Sequence, residues 1–247
     1  MGLETGTLLI FLGVLPIVSF LYASVGHGGA SGYLALMALF AFPNDMMKQT
    51  ALLLNLFVAG ISFYYYYKAG HFKLSLFVPF AIGSIPAAFL GGTLSLEPSL
   101  YKKVLGVLLL FAIARMLWKG EVKDAEVKKV KIYQGLLVGV AVGFFSGLIG
   151  IGGGIILTPL ILLLHWGNMK EAAAVSALFI WVNSASGLLG QFSTGVTLEP
   201  FAAVMVLVAV VGGMAGSYLG SKKWTPQFLE YFLALVLTTA SLKLLFF

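Results

Sequence analysis

Apolar residues fill most of the chain in long runs that are separated by short polar loops. A helix needs about 20 mostly apolar residues to cross the hydrocarbon core of a bilayer. Because such runs recur from end to end, the pattern predicts an all-α, polytopic membrane protein. The predicted helical segments are 8–23, 32–42, 48–67, 74–94, 99–118, 133–149, 155–166, 170–192, 198–219 and 227–246.

The ten segments divide into two similar halves. A glycine-rich stretch, SGLIGIGGGIILTP from Ser146 to Pro159, lies in the second half, and a weaker copy lies 124 residues earlier. At that offset, Gly26, Gly28 and Gly29 each align with a glycine of the second stretch. We therefore predict three regions, which are a first repeat at 1–118, a basic cytoplasmic linker at 119–131 and a second repeat at 132–247.

Each half begins with two arms around its glycine stretch and continues with three longer segments. The second arm of the first half is short for a full span, which predicts a re-entrant or broken helical hairpin. With the arms counted separately, each half has an odd number of segments, so the halves should lie inverted in the membrane. Basic residues agree, with eleven on the predicted cytoplasmic side (Lys68, Lys73, Arg115, Lys119, Lys123, Lys128, Lys129, Lys131, Lys170, Lys222 and Lys223) against four outside (Lys48, Lys102, Lys103 and Lys243).

Composition narrows the class of protein further. The 247 residues are 60% apolar and 10% charged, whereas a soluble domain carries about 25% charged residues. Cysteine is absent, which excludes disulfides and thiol chemistry. The net charge of +6 lies in the linker and in short loops beside the apolar segments. This distribution indicates contact with anionic lipid surfaces and not with nucleic acid.

The two glycine stretches are the candidate substrate site. Where a helix begins inside a membrane, its first N–H groups lack partners and its dipole favours an anion. Glycines allow the anion to approach those groups, and paired breaks of this kind are typical of secondary transporters with a midplane site. The candidate residues are Ser24, Gly26, His27, Gly28, Gly29, Ala30 and Ser31 in the first half, and Gly150, Ile151, Gly152, Gly153 and Gly154 in the second.

Close helix packing is the alternative role for these glycines. Gly143 and Gly147 form a G-x-x-x-G pair, and Gly150 and Gly154 form another. The serines that flank the breaks have two roles open to them as well. They either donate to an anion or bond back to a carbonyl one turn earlier in their helix.

His27 is the ionisable residue at a predicted hairpin tip. In a transporter it would donate to an oxyanion or carry a proton between pH 5 and 8, and in a structural role it would bond to a carbonyl. Asn183 and Ser186 join the candidate site because they lie in a patch of small residues, although hydrogen bonding between helices also explains them. Trp181, in the middle of the same segment, is predicted to pack or to line a cavity.

No cofactor, metal site or enzyme activity is predicted. Three scattered histidines without paired acidic residues do not form a metal site. The sequence GASG at 29–32 fits the serine motif of intramembrane proteases, which also need a histidine base on a neighbouring helix. His71 and His165 both lie near the ends of predicted segments, so this chemistry is not supported.

With these residues in view, the chain resembles the sulfite exporter TauE/SafE family of membrane permeases. The resemblance rests on two similar halves that each open with a glycine-rich break, and on the basic linker between them. It also rests on the second-half motif GFFSGLIGIGGGIILTP, from Gly143 to Pro159. The first half departs from this motif at His27 and at 33–35.

This resemblance implies a secondary transporter, expected to be an exporter, of a small sulfur-containing anion such as sulfite or sulfoacetate. The implied location is the inner membrane of a prokaryote. The implied partners are the lipid bilayer, the small anion and a coupling ion, either a proton or sodium, while an oligomer is left open. The residues by themselves also leave open a carboxylate carrier, an anion channel and, further off, an intramembrane hydrolase.

Overall fold

A computed structural model describes residues 5–117, 127–222 and 227–246. Within them lie ten helices, one on each predicted segment, so the all-α prediction is confirmed. The helices are α1 (Thr5–Ser24), α2 (Ala30–Leu39), α3 (Asn44–Lys68), α4 (Leu74–Thr93), α5 (Pro98–Leu117), α6 (Ile132–Ile149), α7 (Gly154–Leu163), α8 (Met169–Ser193), α9 (Phe201–Lys222) and α10 (Gln227–Phe246). Most of the predicted linker, 119–126, lies outside the described residues, and the division into repeats stays a prediction.

The two arms of each predicted hairpin differ in length. Among the residues that the structure describes, six helices are long and apolar enough to cross a membrane, namely α1, α3, α4, α6, α8 and α9. α2 and α7 have ten residues each, which is about 15 Å of helix and half of a hydrocarbon core. Each glycine stretch therefore joins a helix of spanning length to a half-length helix.

α3 and α8 form the centre of the bundle. In the apolar spanning part of each helix, 61% of α3 and 72% of α8 is buried, against 39% to 56% in the other four spanning helices. Asn55 of α3 hydrogen-bonds to Ser184 of α8, and Gly60 of α3 packs against Trp181 of α8. Because the residue numbers rise on one helix as they fall on the other, α3 and α8 run antiparallel.

Two further helix pairs pack through glycines and run parallel. On α9, Gly212, Gly216 and Gly220 lie against the backbone carbonyls of Pro16, Phe20 and Ser24 of α1. On α6, Gly139, Gly143 and Gly147 lie against the carbonyls of Phe80, Ser84 and Ala88 of α4. A side chain at any of these glycines would collide with backbone, so the packing role is correct for Gly143 and Gly147.

The helix pairs connect the two halves of the chain, because a helix of each half packs on a helix of the other. α1 and α6 are the first helices of the two halves, and each packs on the fourth helix of the other half. α3 and α8, which occupy the same place in the two halves, run in opposite directions. Two oppositely oriented halves would make these contacts, and the orientation of the halves in the membrane stays a prediction.

Both half-length helices are enclosed by protein. α2 buries nine of its residues, and seven of these belong to an apolar cluster that includes Phe11 of α1 and Leu105 of α5. α7 buries Leu157 and Ile161 in a second cluster with Phe179 of α8. Because a bilayer tolerates non-helical backbone only where protein or a wet cavity covers it, this enclosure lets both helices begin within the membrane.

Candidate substrate site

The two half-length helices begin at the same place in the bundle. Gly28 precedes α2 and Gly152 precedes α7, and both lie against the side-chain amide of Asn55 and against Cγ2 of Ile180. Asn55 and Ile180 are each the twelfth residue of a 25-residue helix. The glycine stretches therefore meet halfway along the two central helices, at what we name the meeting point, defined by Gly28, Asn55, Gly152 and Ile180.

Both stretches require glycine for their backbone conformation. The φ angle is +77° at Gly26 and +100° at Gly29 in the first stretch, and +91°, +72° and +82° at Gly150, Gly152 and Gly153 in the second. Residues with a side chain rarely adopt such angles. Residues 26–29 and 150–153 are all buried and non-helical. These glycines therefore shape the breaks, unlike the glycines of α6 and α9, which serve packing.

The start of α2 is capped by a side chain from α3. Gly29 is the N-cap residue and offers no side chain, and the N–H of Ala30 donates to Oδ1 of Asn55 at 3.0 Å. Nδ2 of Asn55 donates to Oγ of Ser184 at 3.3 Å. The amide oxygen of Asn55 thus occupies the place that an anion takes at a helix N-terminus.

The start of α7 is bordered by His27 from the first stretch. No described side chain caps this end, whose N-cap residue is Gly153. A Cβ built on Gly154 would lie 3.2 Å from Cδ2 of His27. Nε2 of His27 lies 3.1 Å from Oγ1 of Thr158, and Oγ1 of Thr158 lies 2.7 Å from Oγ of Ser176 on α8. The histidine of the first half therefore joins the helix that follows the second break.

The direction of these hydrogen bonds depends on the protonation of His27. Nδ1 lies 3.1 Å from the carbonyl oxygen of Val25, which can only accept, so Nδ1 donates. The Thr158 hydroxyl donates its single hydrogen to Oγ of Ser176, so Oγ1 of Thr158 faces Nε2 of His27 as an acceptor. An imidazolium ring donates from Nε2 to this oxygen, whereas a neutral ring with its proton on Nδ1 would accept at Nε2 and would require the bond between Thr158 and Ser176 to reverse. The ring is only 9% exposed, so His27 is buried and does not face solvent.

The three serines beside the breaks differ in their hydrogen-bond partners. Oγ of Ser24 donates to the carbonyl of Leu21 at 2.7 Å, which is the back-bonding role. Oγ of Ser31 lies 2.6 Å from the hydroxyl of Tyr22. Oγ of Ser146 is buried and has no hydrogen-bond partner within the described part of the chain.

Asn183 and Ser186 occupy different surroundings. Oγ of Ser186 donates to the carbonyl of Ile85 on α4 at 2.6 Å, so this residue joins two helices. Nδ2 of Asn183 donates to the carbonyl of Phe179 at 2.7 Å, while its buried Oδ1 lacks a partner among the described residues. Phe179 packs against Gly153. Asn183 therefore lies one helical turn from the start of α7, whereas Ser186 bonds to α4 instead.

Sequence reasoning missed three side chains at or beside the meeting point. Asn55 lies within an apolar segment, and its sequence neighbours do not indicate that it caps α2 and bonds to Ser184. Thr158 belongs to the glycine motif and Ser176 to α8, and both join His27 only through tertiary contacts. One signal was available, because Ser176, Ile180 and Ser184 recur every four residues and so share one face of α8.

Charged side chains take little part in this arrangement. The stem of Lys48 packs against Gly150, but its ammonium donates to the carbonyls of Gly92 at 3.2 Å and Leu94 at 2.9 Å. That cation is therefore engaged at the C-terminal end of α4, where the helix dipole favours it. Helix dipoles, hydroxyls, the amide and the imidazole supply the polarity around the meeting point.

In the described part of the chain, six helices of spanning length surround two half-length helices that begin together, an arrangement typical of polytopic membrane transporters with broken helices. A sequence model described as "Sulfite exporter TauE/SafE" matches residues 9–244. The chain belongs to this family, as the glycine motif implied. The predictions of a multi-pass membrane transporter and of no enzyme are confirmed.

Curated relatives from distant organisms match almost the whole chain. It is 35% identical over 233 residues to the "Probable membrane transporter protein y4hK" of Sinorhizobium fredii, which covers 93% of this chain and 94% of that one. It is 28% identical over 253 residues to the "Probable membrane transporter protein YjnA" of Bacillus subtilis, with coverage of 92% and 96%. No solved structure matches the chain significantly.

Proposed function

We propose that the protein exports a small sulfur-containing anion, such as sulfite or sulfoacetate, and that the anion binds where α2 and α7 begin. The observation that carries this proposal is the contact of Gly28 and Gly152 with one amide, that of Asn55, halfway along α3 and α8. Two helix starts at one point offer backbone N–H groups and two positive dipole ends. The family description supports sulfite as the kind of substrate.

The start of α7 is the stronger half of the proposed site. The N–H of Ala30 on α2 is already bonded to Asn55, whereas no described side chain caps α7. An oxyanion presents several acceptor oxygens, and hydrogen bonds to an ionised acceptor are roughly twice as strong as neutral ones. His27 and Thr158 border these N–H groups, but their polar atoms are engaged with Val25, Ser176 and each other, so backbone N–H groups of α7 are the main donors of the proposed site. We therefore expect the anion to bind at α7 first.

Two unpaired polar groups support a polar ligand close to α7. Val142 of α6 and Phe179 of α8 both pack against Gly153. One helical turn further along lie Ser146 and Asn183, whose buried Oγ and Oδ1 atoms lack partners among the described residues. A buried polar group without a partner costs about 1–3 kcal/mol. A bound polar ligand would relieve that cost.

We expect the side chain of Asn55 to close the α2 side of the proposed site when no anion is bound. Its amide oxygen and an anion would compete for the N–H of Ala30, because both are acceptors at the same helix start. Binding at α2 therefore requires the Asn55 side chain to turn away. Ser184, the other hydrogen-bond partner of Asn55, would lose its bond in that step.

We also propose that the two halves lie inverted in the membrane. Two features of the packing support this arrangement, since α1 and α6 each pack on a helix of the other half and α3 and α8 run antiparallel. The bias of basic residues supports it as well. A reporter fused after Phe247 should then be extracytoplasmic, and one inserted within 119–131 should be cytoplasmic. Both reporters on one side of the membrane would contradict the inverted arrangement.

Transport and binding by the purified protein test the proposed function. In liposomes, uptake of labelled sulfite should saturate and show counterflow with unlabelled sulfite, whereas a channel would pass current without exchange. Thermal-shift titration should include sulfite, sulfoacetate, thiosulfate, sulfate and acetate, since a ligand of the folded state stabilises in proportion to its occupancy. Stabilisation by acetate and by none of the sulfur anions would instead indicate a carboxylate carrier.

A further inference from the structure

An open groove lies on the outside of the bundle, between α3, α8 and α9. Its volume is about 490 Å³, and its lining includes Phe57, Gly60, Tyr64, Tyr65, Trp181 and Met214. Phe57, Trp181 and Met214 are 46%, 41% and 47% exposed. All three helices have spanning length, so these apolar side chains are exposed to the hydrocarbon core of the bilayer.

The groove and the last turn of α3 together have the length of about one bilayer leaflet. Trp181 lies at the middle of α8 and packs against Gly60, where a built Cβ would be 3.0 Å from Cδ1 of the indole. Lys68 is the last residue of α3. The rise along α3 from Phe57 to Lys68 is about 16 Å, close to half of a 30 Å hydrocarbon core. The groove therefore runs from the bilayer centre toward one membrane surface.

Two lysines stand at the surface end of the groove. α3 and α9 run parallel, because Ser62 hydrogen-bonds to Ser217 at 2.9 Å and Val58 packs against Gly213. The last residues of these helices, Lys68 and Lys222, therefore lie at the same end of the bundle.

Aromatic rings connect the lysines to the groove. Nζ of Lys68 lies 4.6 Å from the ring centroid of Tyr64, and Nζ of Lys222 lies 4.0 Å from that of Tyr218. The Tyr218 ring contacts Tyr65, a groove residue, with 5.8 Å between centroids. A continuous aromatic surface thus leads from the apolar groove to two cations.

Neither of these cations is neutralised by a carboxylate in the described ranges. The ion pair found among the described residues joins two other side chains, Lys73 and Glu171, at 2.5 Å. Lys68 and Lys222 are both exposed. Basic residues at a membrane surface attract anionic lipid headgroups, and tyrosine favours the same interfacial depth.

We propose that this groove binds an anionic phospholipid. Its phosphate lies between Lys68 and Lys222, and one acyl chain follows the groove down to Trp181. A second copy of the protein fits the groove poorly, because two copies related by an axis along the membrane normal would bring their lysine-bearing ends to the same membrane surface. Trp181 directly follows Ile180, so a bound acyl chain also contacts the turn of α8 that borders the meeting point.

The proposal is tested by lipid binding, which is measured without any transported anion and so stands apart from the proposed function. Detergent-purified protein is titrated with phosphatidylglycerol or phosphatidylcholine of identical acyl chains, and the melting temperature is recorded. We expect phosphatidylglycerol to raise it more than phosphatidylcholine does. The K68Q/K222Q variant should lose at least half of this difference, and Trp181→Ala should weaken the response to both lipids.

The matched control is K128Q/K129Q, which removes two exposed positive charges elsewhere and should keep the full difference between the lipids. Equal stabilisation of K68Q/K222Q and the unsubstituted protein by phosphatidylglycerol would overturn the proposal. So would a lipid-independent dimer in light scattering that Trp181→Ala dissociates, because the groove would then be a protein interface.

Discussion

The two glycine breaks are alike in backbone and unlike in what closes them. Each passes from a helix of spanning length through buried glycines with positive φ, and each leads into a ten-residue helix beside Asn55 and Ile180. The first break, however, is capped by Asn55 and carries His27. No described side chain caps the second. The two breaks thus share a backbone shape, but the first has a side-chain cap and an ionisable group, while the second has no described side-chain cap.

The two breaks therefore differ in how the N–H groups of the following helix are satisfied. Where a side-chain amide accepts a hydrogen bond from the first N–H groups of a helix, the helix start is stabilised without a ligand. Where no side chain does so, the unpaired N–H groups favour an anion. The contact between His27 and Thr158 then links the closed break to the helix of the open one. We infer that the second break provides most of the affinity and that the first controls its occupancy.

The largest effect should come from filling either break. Gly153→Val and Gly29→Val should each abolish anion binding, because both glycines have positive φ and a Cβ would meet Phe179 at 2.9 Å or the Tyr33 ring at 2.6 Å. The strain of a side chain in left-handed backbone adds roughly 1–2 kcal/mol. Calorimetric titration of monodisperse variants with the best anion measures the loss.

Gly195→Val is the matched control for that strain. Gly195 has φ of +84°, close to the +82° of Gly153, but a Cβ there meets nothing within 4 Å. This variant should bind anions normally. If folded Gly153→Val protein also bound normally, the site would not lie at the start of α7.

The next effect concerns the cap that distinguishes the first break. Asn55→Asp keeps the shape and the acceptor for Ala30 but places a carboxylate beside Gly152. Two like charges about 4 Å apart repel by roughly 4 kcal/mol at an effective dielectric constant of 20. Anion affinity at pH 8 should therefore fall at least tenfold.

Ser184→Ala is the control for Asn55→Asp, since it removes the other hydrogen bond of Asn55 without adding charge. Its affinity should stay within about fivefold, because a neutral hydrogen bond contributes about 1 kcal/mol. Unchanged affinity in Asn55→Asp would show that the anion binds away from the meeting point.

A smaller effect is expected from His27. His27→Gln can keep one of the two hydrogen bonds of the ring, so stability should change by about 1 kcal/mol. The pH dependence of uptake between pH 5 and 8 should flatten, because glutamine does not titrate. Thr158→Val, which retains the ring but removes its hydroxyl partner, should also alter the profile. An unaltered profile in both variants would assign His27 a structural role.

The smallest effect is expected in the linker. Replacement of Lys128 and Lys129 by alanine should leave anion affinity within about threefold, since screened charges act weakly beyond a Debye length of about 8–10 Å. Titration of this variant and of Gly153→Val under the same conditions compares the smallest expected loss of anion affinity with the largest. A tenfold loss would mean that linker charge, and not the helix starts, attracts the anion.

Much of the fold was predictable because it depends on local properties. Helix formation and bilayer crossing depend on runs of apolar residues, which is why ten segments were placed within a few residues. Trp181 was predicted to pack or to line a cavity, and it does both, against Gly60 and along the groove. The roles of individual serines were left open, since hydroxyl partners depend on neighbouring turns and helices.

By itself, the sequence determined where the chain must break, because the glycines of the two stretches lie within apolar runs and glycine alone tolerates positive φ without strain. Only the tertiary structure decided what fills the breaks. Asn55 reaches Ala30 because α3 packs against the start of α2, and His27 reaches Thr158 across 131 residues of chain. Such contacts depend on how helices cross, which no local pattern of residues encodes.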